Sequence, residues 1–171
     1  YAAAMASGDL ILAAVNSMLS CSGSLFAGVK LQVLSEKCTE VIKFLGEREL
    51  VIFKVQTQCV HHSVVKLIGI DEKPKYVSAE EQNILATNTS VMTSYYNQKA
   101  YISFMFRSYD GLQENVEKSL ACIGNTWANL FTGHAFHAFY IGLISFWLAR
   151  KSTDRQQWYE RGNMWYWYTF L

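Results

Sequence analysis

A single proline, Pro74, stands in 171 residues. Folds with many tight turns use proline as punctuation, so its scarcity favours long uninterrupted helices. Blocks of like charge are missing as well. The 15 basic and 14 acidic residues leave a net charge of +1, and no basic tract occurs. A nucleic-acid groove needs clustered Lys and Arg to displace counterions, so that class of partner has no electrostatic footprint here. The four cysteines, Cys21, Cys38, Cys59 and Cys122, form no C-x-x-C pair. They read as small buried thiols in a reducing, cytoplasmic setting, although an even count leaves two disulfides formally open. The sequence holds no G-x-x-x-x-G-K-[ST], no G-x-S-x-G and no H-E-x-x-H. The P-loop, the nucleophile elbow and the zincin helix are therefore excluded. The Ala-rich start also lacks the basic n-region of a signal peptide.

What remains is apolar and aromatic. Apolar residues make up 51% of the chain against 17% charged, a balance that supports a packed core over disorder. The 15% of aromatic residues means that much of the packing must be done by rings.

The pattern predicts helices throughout. Residues 1–7 read as the end of a helix, with Gly8-Asp9 a turn and Asp9 the N-cap of a second helix to about Gly23. Leu31, Leu34, Cys38, Val41 and Leu45 recur at steps of three and four, one helical stripe with Gly46 as its stop. Glu49 to Ile68 opens on β-branched residues, yet its length and the closing Gly69 favour a helix. Residues 70–77 read as a loop. Ser78 and Glu81 form a capping box before one long helix marked by Ile84, Val91, Tyr95, Ile102, Met105 and Tyr109, softened at Asn88-Thr89-Ser90. Leu112, Val116, Leu120 and Ile123 mark the next. Phe136, Tyr140, Leu143 and Trp147 mark the penultimate one, with Gly142 and Ala149 facing inward. Residues 132–149 are free of charge, but two histidines and several small residues favour a buried helix over a membrane span. Thr153 and Gln156 read as the caps of the last helix.

Turns at Gly8-Asp9, Gly46-Glu47, Asp110-Gly111 and Ser152-Asp154 recur at intervals that suit two-helix repeats. The expected fold is all-α: antiparallel helix pairs stacked as a degenerate TPR-like α-solenoid, with residues 1–171 a single helical-repeat segment of a longer chain.

Candidate sites are few. Cys59 with His61 and His62 resembles part of a zinc site, but no second ligand pair at suitable spacing accompanies it, and neighbouring histidines diverge on a helix. His134 and His137 share a face and could hold a metal or act as base and orienter, and His62 could join them. Packing explains them more simply, so no catalytic, metal or cofactor site is assigned. Glu80-Glu81 and Glu47/Glu49 sit at helix starts, where the macrodipole favours acids. The anomaly is the last helix. Trp158, Tyr159, Trp165, Tyr166, Trp167, Tyr168 and Phe170 run around it, and a helix that is apolar all round must be covered all round. Either a further helix covers it, or Trp158, Tyr159, Trp165, Tyr166, Trp167 and Tyr168 form a surface that binds a protein partner.

The stretch AFHAFYIGLISFWLARKSTDRQQWYERGNMW resembles the helical-repeat region of very large signalling proteins of bacteria and some algae, which carry kinase-like, AAA-type ATPase and histidine kinase or cyclase domains. Its motifs fall at Tyr140 to Arg150 and at Trp158 to Gly162, and YAAAMASGDLILAAVNSML and ISFMFRSYDGLQENVEKS resemble further repeats. The resemblance implies a non-catalytic scaffold that meets other domains of its own chain or a protein partner. It carries over no catalytic residue.

Overall fold

The computed structural model describes residues 8–70, 78–123 and 133–170, with the side chains of 123, 133–136 and 166–170 outside the description. Eight helices are described: α1 (Leu10–Phe26), α2 (Leu31–Glu47), α3 (Val51–Ile68), α4 (Ala79–Thr87), α5 (Thr89–Met105), α6 (Leu112–Ile123), α7 (Gly133–Ala149) and α8 (Arg155–Phe170). No strand occurs among the described residues. The expected helix of residues 1–7 and the loop of 71–77 lie outside them.

Local chemistry sets most of the ends. The Asp9 carboxylate accepts the Leu12 N–H at 2.9 Å and starts α1. Gly69 ends α3 at φ 96°, a left-handed conformation that only glycine adopts without strain. Ser78 and Glu81 make the expected capping box at α4. Four boundaries differ from the sequence reading, one of them the end of α5 at Met105, short of Tyr109. Gly46 lies inside α2, and the left-handed residue of the following turn is Glu49, at φ 57°. The single long helix after Ser78 is two helices. Asn88 ends α4, and its side chain accepts the Val91 N–H at 3.1 Å to begin α5. The last helix begins at Arg155 rather than behind Thr153, with Asp154 before it and the Ser152 hydroxyl accepting the Asp154 N–H.

Short connections make hairpins of α2 with α3, α5 with α6, and α7 with α8, and these are the most extensive pairings. Helices α1, α3, α5 and α7 touch in succession, and α7 returns to touch α1. They form an inner set. α2 packs outside α1 and α3, α4 against α3 and α5, α6 against α5, and α8 against α7.

Two apolar clusters fill this arrangement. One joins Cys21 and Leu25 of α1, Leu34 and Cys38 of α2, Val60 and Val64 of α3, and Tyr101 of α5. The other joins Ala100 with Leu112 and Val116 of α6, Ile141, Ile144 and Leu148 of α7, and Trp158 and Trp165 of α8. Tyr140 packs against both. Its ring lies 4.9 Å from Tyr101 and 5.5 Å from Phe26, and Phe26 lies 5.8 Å from Tyr101. This three-ring knot is where α1, α5 and α7 close on one another. Phe26–Tyr101 and Tyr101–Tyr140 meet edge-on, and such pairs add about 0.5–1.5 kcal/mol each beyond their burial.

Several hydroxyls inside helices turn back on their own backbone. Ser17, Thr57, Ser63 and Thr93 donate to the carbonyls of Ala13, Phe53, Cys59 and Thr89, and all four residues are buried. Glu81 is the one acidic side chain among the buried residues described, and Lys54 of α3 meets it at 2.6 Å.

Two consequences are measurable. Lys54→Met leaves the Glu81 carboxylate in the core without its ammonium, at a cost of about 3 kcal/mol in chemical denaturation. Adding Glu81→Gln to that variant recovers part of the loss. Burial, with Tyr140 beside it, pushes the Tyr101 phenol up to about 12 from 10. Between those values the folded chain holds a proton that the unfolded chain has released, so rising pH favours unfolding. Stability therefore falls from pH 10 to pH 12. The denaturation midpoint of Tyr101→Phe, followed over the same range, loses that part of the slope.

Candidate functional site

The sequence directs attention to the α7–α8 hairpin, and the structure sorts its residues. The inward face of α7 is Ala138, Ile141, Ile144, Ser145 and Leu148, a face rotated from the one that periodicity suggests. Gly142 and Ala149 are buried, as expected. Tyr140 and Trp147 flank that face, and Leu143 points outward. Phe136 belongs to the side chains outside the description. Trp147 fixes the hairpin to the inner set, edge-on to Phe104 of α5 at 6.0 Å and to Tyr109 of the following loop at 5.8 Å.

On α8 the candidate surface divides. Trp158 is 0% exposed and Trp165 7% exposed, both within the core shared with α7. These two are therefore packing residues and not part of a free surface. Ile144 and Leu148 belong to the same cluster, and the Arg161 guanidinium lies 4.7 Å from the Trp158 ring. Tyr159 is 52% exposed. The side chains of Tyr166, Trp167 and Tyr168 lie outside the described residues.

Gly162 sets how closely the hairpin closes. A Cβ built there would meet Cδ1 and Cε1 of Phe146 at 2.8 Å. The Phe146 ring thus occupies the space that a side chain at 162 would take. The same ring lies 5.7 Å from Tyr159. Phe139 and Leu143, four residues apart, are exposed on one side of α7, and the half-buried Phe146 ring, three residues further on, links that side to the exposed Tyr159 of α8. Composition alone could not have separated this stripe from the core, because α7 is apolar on nearly every face.

The polar candidates fall elsewhere. His61 Nε2 and the Ser35 hydroxyl are hydrogen-bonded at 3.0 Å across α2 and α3. His62 instead lines a cleft of about 120 Å³ between α3 and α5, with Cys59, Lys66, Tyr95, Gln98 and Lys99. The adjacent histidines diverge, as helical geometry requires. The Lys99 ammonium sits 5.1 Å from the Tyr95 ring. His137 packs edge-on to Trp165, with the ring centres 6.1 Å apart. The side chain of His134 lies outside the description. Among the described residues no three His, Cys, Asp or Glu side chains converge as metal ligands would. Nor is any described helix long and apolar enough to cross a membrane.

No protein-family model, curated protein or solved structure matches this chain.

The approach at Gly162 can be tested directly. Gly162→Ala gains about 1 kcal/mol of helix propensity but forces Phe146 out of place, and overpacking of this kind costs about 1–3 kcal/mol. A net loss in thermal unfolding is expected. In a Phe146→Leu background, where the ring is gone, the same change becomes neutral or stabilising.

Proposed function

We propose that this chain is a non-catalytic helical-repeat scaffold that binds protein through its α7–α8 hairpin. The observation that carries the reading is the exposed stripe of Phe139 and Leu143 on α7 and Tyr159 on α8, joined through the half-buried ring of Phe146. It is apolar and aromatic, and it rests on a hairpin whose inner face is already filled by Trp158 and Trp165. Exposed aromatic surface on a rigid support is the usual chemistry of an anchor for a partner. The partner that fits is the apolar face of another helix, from a further domain of the same chain or from a separate protein.

The order of contacts supports the α-solenoid form of this reading. α1, α3, α5 and α7 follow one another as inner helices, with α2, α6 and α8 as the outer members of pairs. The contact of α7 with α1 departs from a strictly linear array. On the resemblance of residues 135–165 to the repeats of large signalling ATPase and kinase proteins, the proposed role is to couple a sensor or ATPase module to an output module.

A second reading, a helical metalloprotein built on His134 and His137, has less behind it. His137 is engaged with Trp165, and His62 lies in the cleft between α3 and α5.

Sedimentation of the chain over a concentration series tests the first reading. Self-association through the stripe is expected, and Tyr159→Glu with Leu143→Glu should weaken it at least tenfold while leaving the helical spectrum intact. A chain that stays monomeric at high concentration, or associates equally well after both changes, sinks it. Stoichiometric metal in the purified chain would favour the alternative.

A further inference from the structure

Two of the four cysteines share one buried cluster between α1 and α2 although 16 residues separate them in the sequence. Cys21 of α1 and Cys38 of α2 are both fully buried, and both belong to the same apolar cluster. Lys37, the residue before Cys38, fixes the alignment independently. Its ammonium donates to the Ser20 hydroxyl at 2.6 Å, to the Ser20 carbonyl at 3.3 Å and to the Ser24 hydroxyl at 3.1 Å. Ser20 and Ser24 bracket Cys21 on α1. The lysine thus clamps the two helices at the level of the two thiols and brings a positive charge to them.

The geometry points to Cys21 and Cys38 as a dithiol–disulfide couple, a modification site at which a peroxide staples α1 to α2. The chemistry within the pair is asymmetric. The Cys38 thiol, donating toward Cys21, holds Cys21 below the ordinary thiol range against the opposing effect of burial, and the Lys37 charge helps. Cys38 is held well above that range by the same hydrogen bond and by burial. Cys21 is therefore the nucleophile, since the thiolate is the reactive form.

Its sulfur attacks one oxygen of hydrogen peroxide, the O–O bond breaks and hydroxide leaves, giving a sulfenic acid on Cys21. The Cys38 sulfur then attacks the Cys21 sulfur, the S–O bond breaks and the oxygen leaves as water. The two sulfurs lose two electrons in all and the peroxide gains them, so two thiols and one peroxide give one disulfide and two waters. A thiol reductant reverses the change by exchange. Phe26, in the last turn of α1, belongs to the ring knot. A staple between α1 and α2 would therefore also stiffen the closure of the inner helices.

Peptide mapping of the native chain after brief treatment with hydrogen peroxide tests this. The expected product is a peptide pair joined through Cys21 and Cys38, lighter by two hydrogens and restored by reductant, with Cys59 and Cys122 still open to alkylation. The oxidised chain should melt about 5–10 °C higher, the rise expected for a cross-link over a short loop. In Cys38→Ser, dimedone should trap a sulfenic acid on Cys21. Mapping of the unsubstituted chain needs no variant to fold. Absence of the cross-link under native conditions overturns the proposal. So does a cross-link that forms only in denaturant, or one that pairs Cys59 or Cys122 as readily.

Discussion

The contact of Phe26, Tyr101 and Tyr140 holds the arrangement closed. Helix pairs stacked in order need only their neighbours, and nothing in such an order obliges the seventh helix to meet the first. Here three rings from α1, α5 and α7 stand within 4.9–5.8 Å of one another, and Tyr140 joins the two apolar clusters. Aromatic rings suit this position. They are rigid, they cover large areas, and edge-on contact tolerates the odd angles at which three helices converge. The proton retained by Tyr101 reports the same closure, because only a phenol removed from water is held so far above its ordinary range.

The outer layer depends on close approach rather than on rings alone. Gly162 lets α8 lie down on the Phe146 ring, and that descent buries Trp158. Burial of Trp158 in turn leaves Tyr159, its neighbour in sequence, on the outside. One glycine thus determines which of two adjacent aromatics serves the core and which serves the surface. The proposed binding role rests on that division, since a surface aromatic is useful to a partner only when its support is already packed.

Much of the fold was legible from local chemistry. Asp9, the Ser78/Glu81 box and Gly69 act within one turn of helix, and each does what its residue type implies. The stripe of Leu34, Cys38 and Leu45 was equally plain, because one face of α2 is apolar and the other is not. Asn88 was misread, because the apolar spacing continues across it while its side chain breaks the helix. α7 was read by face only at Gly142 and Ala149, and α8 hardly at all. α7 is apolar on nearly every face and α8 carries aromatic residues on several, so the buried side is chosen by what they pack against. The meeting of Cys21 with Cys38 was out of reach for a related reason. It depends on the register of two helices, which the Lys37 clamp sets and no spacing announces.

The hydroxyls of Ser17, Thr57, Ser63 and Thr93 have a consequence for how such a body could move. Each is satisfied by a carbonyl of its own helix, so it asks nothing of the helix that faces it. At those four positions the contact between helices is smooth in the sense that matters for sliding. Apolar contact changes gradually as one helix shifts along another, whereas a hydrogen bond across the gap would break. Where such bonds do cross, as at Ser35 with His61 and at Lys37 with Ser20, they act as detents on an otherwise greased joint. Had those four hydroxyls bonded across the gap instead, each would have added a further detent against shear.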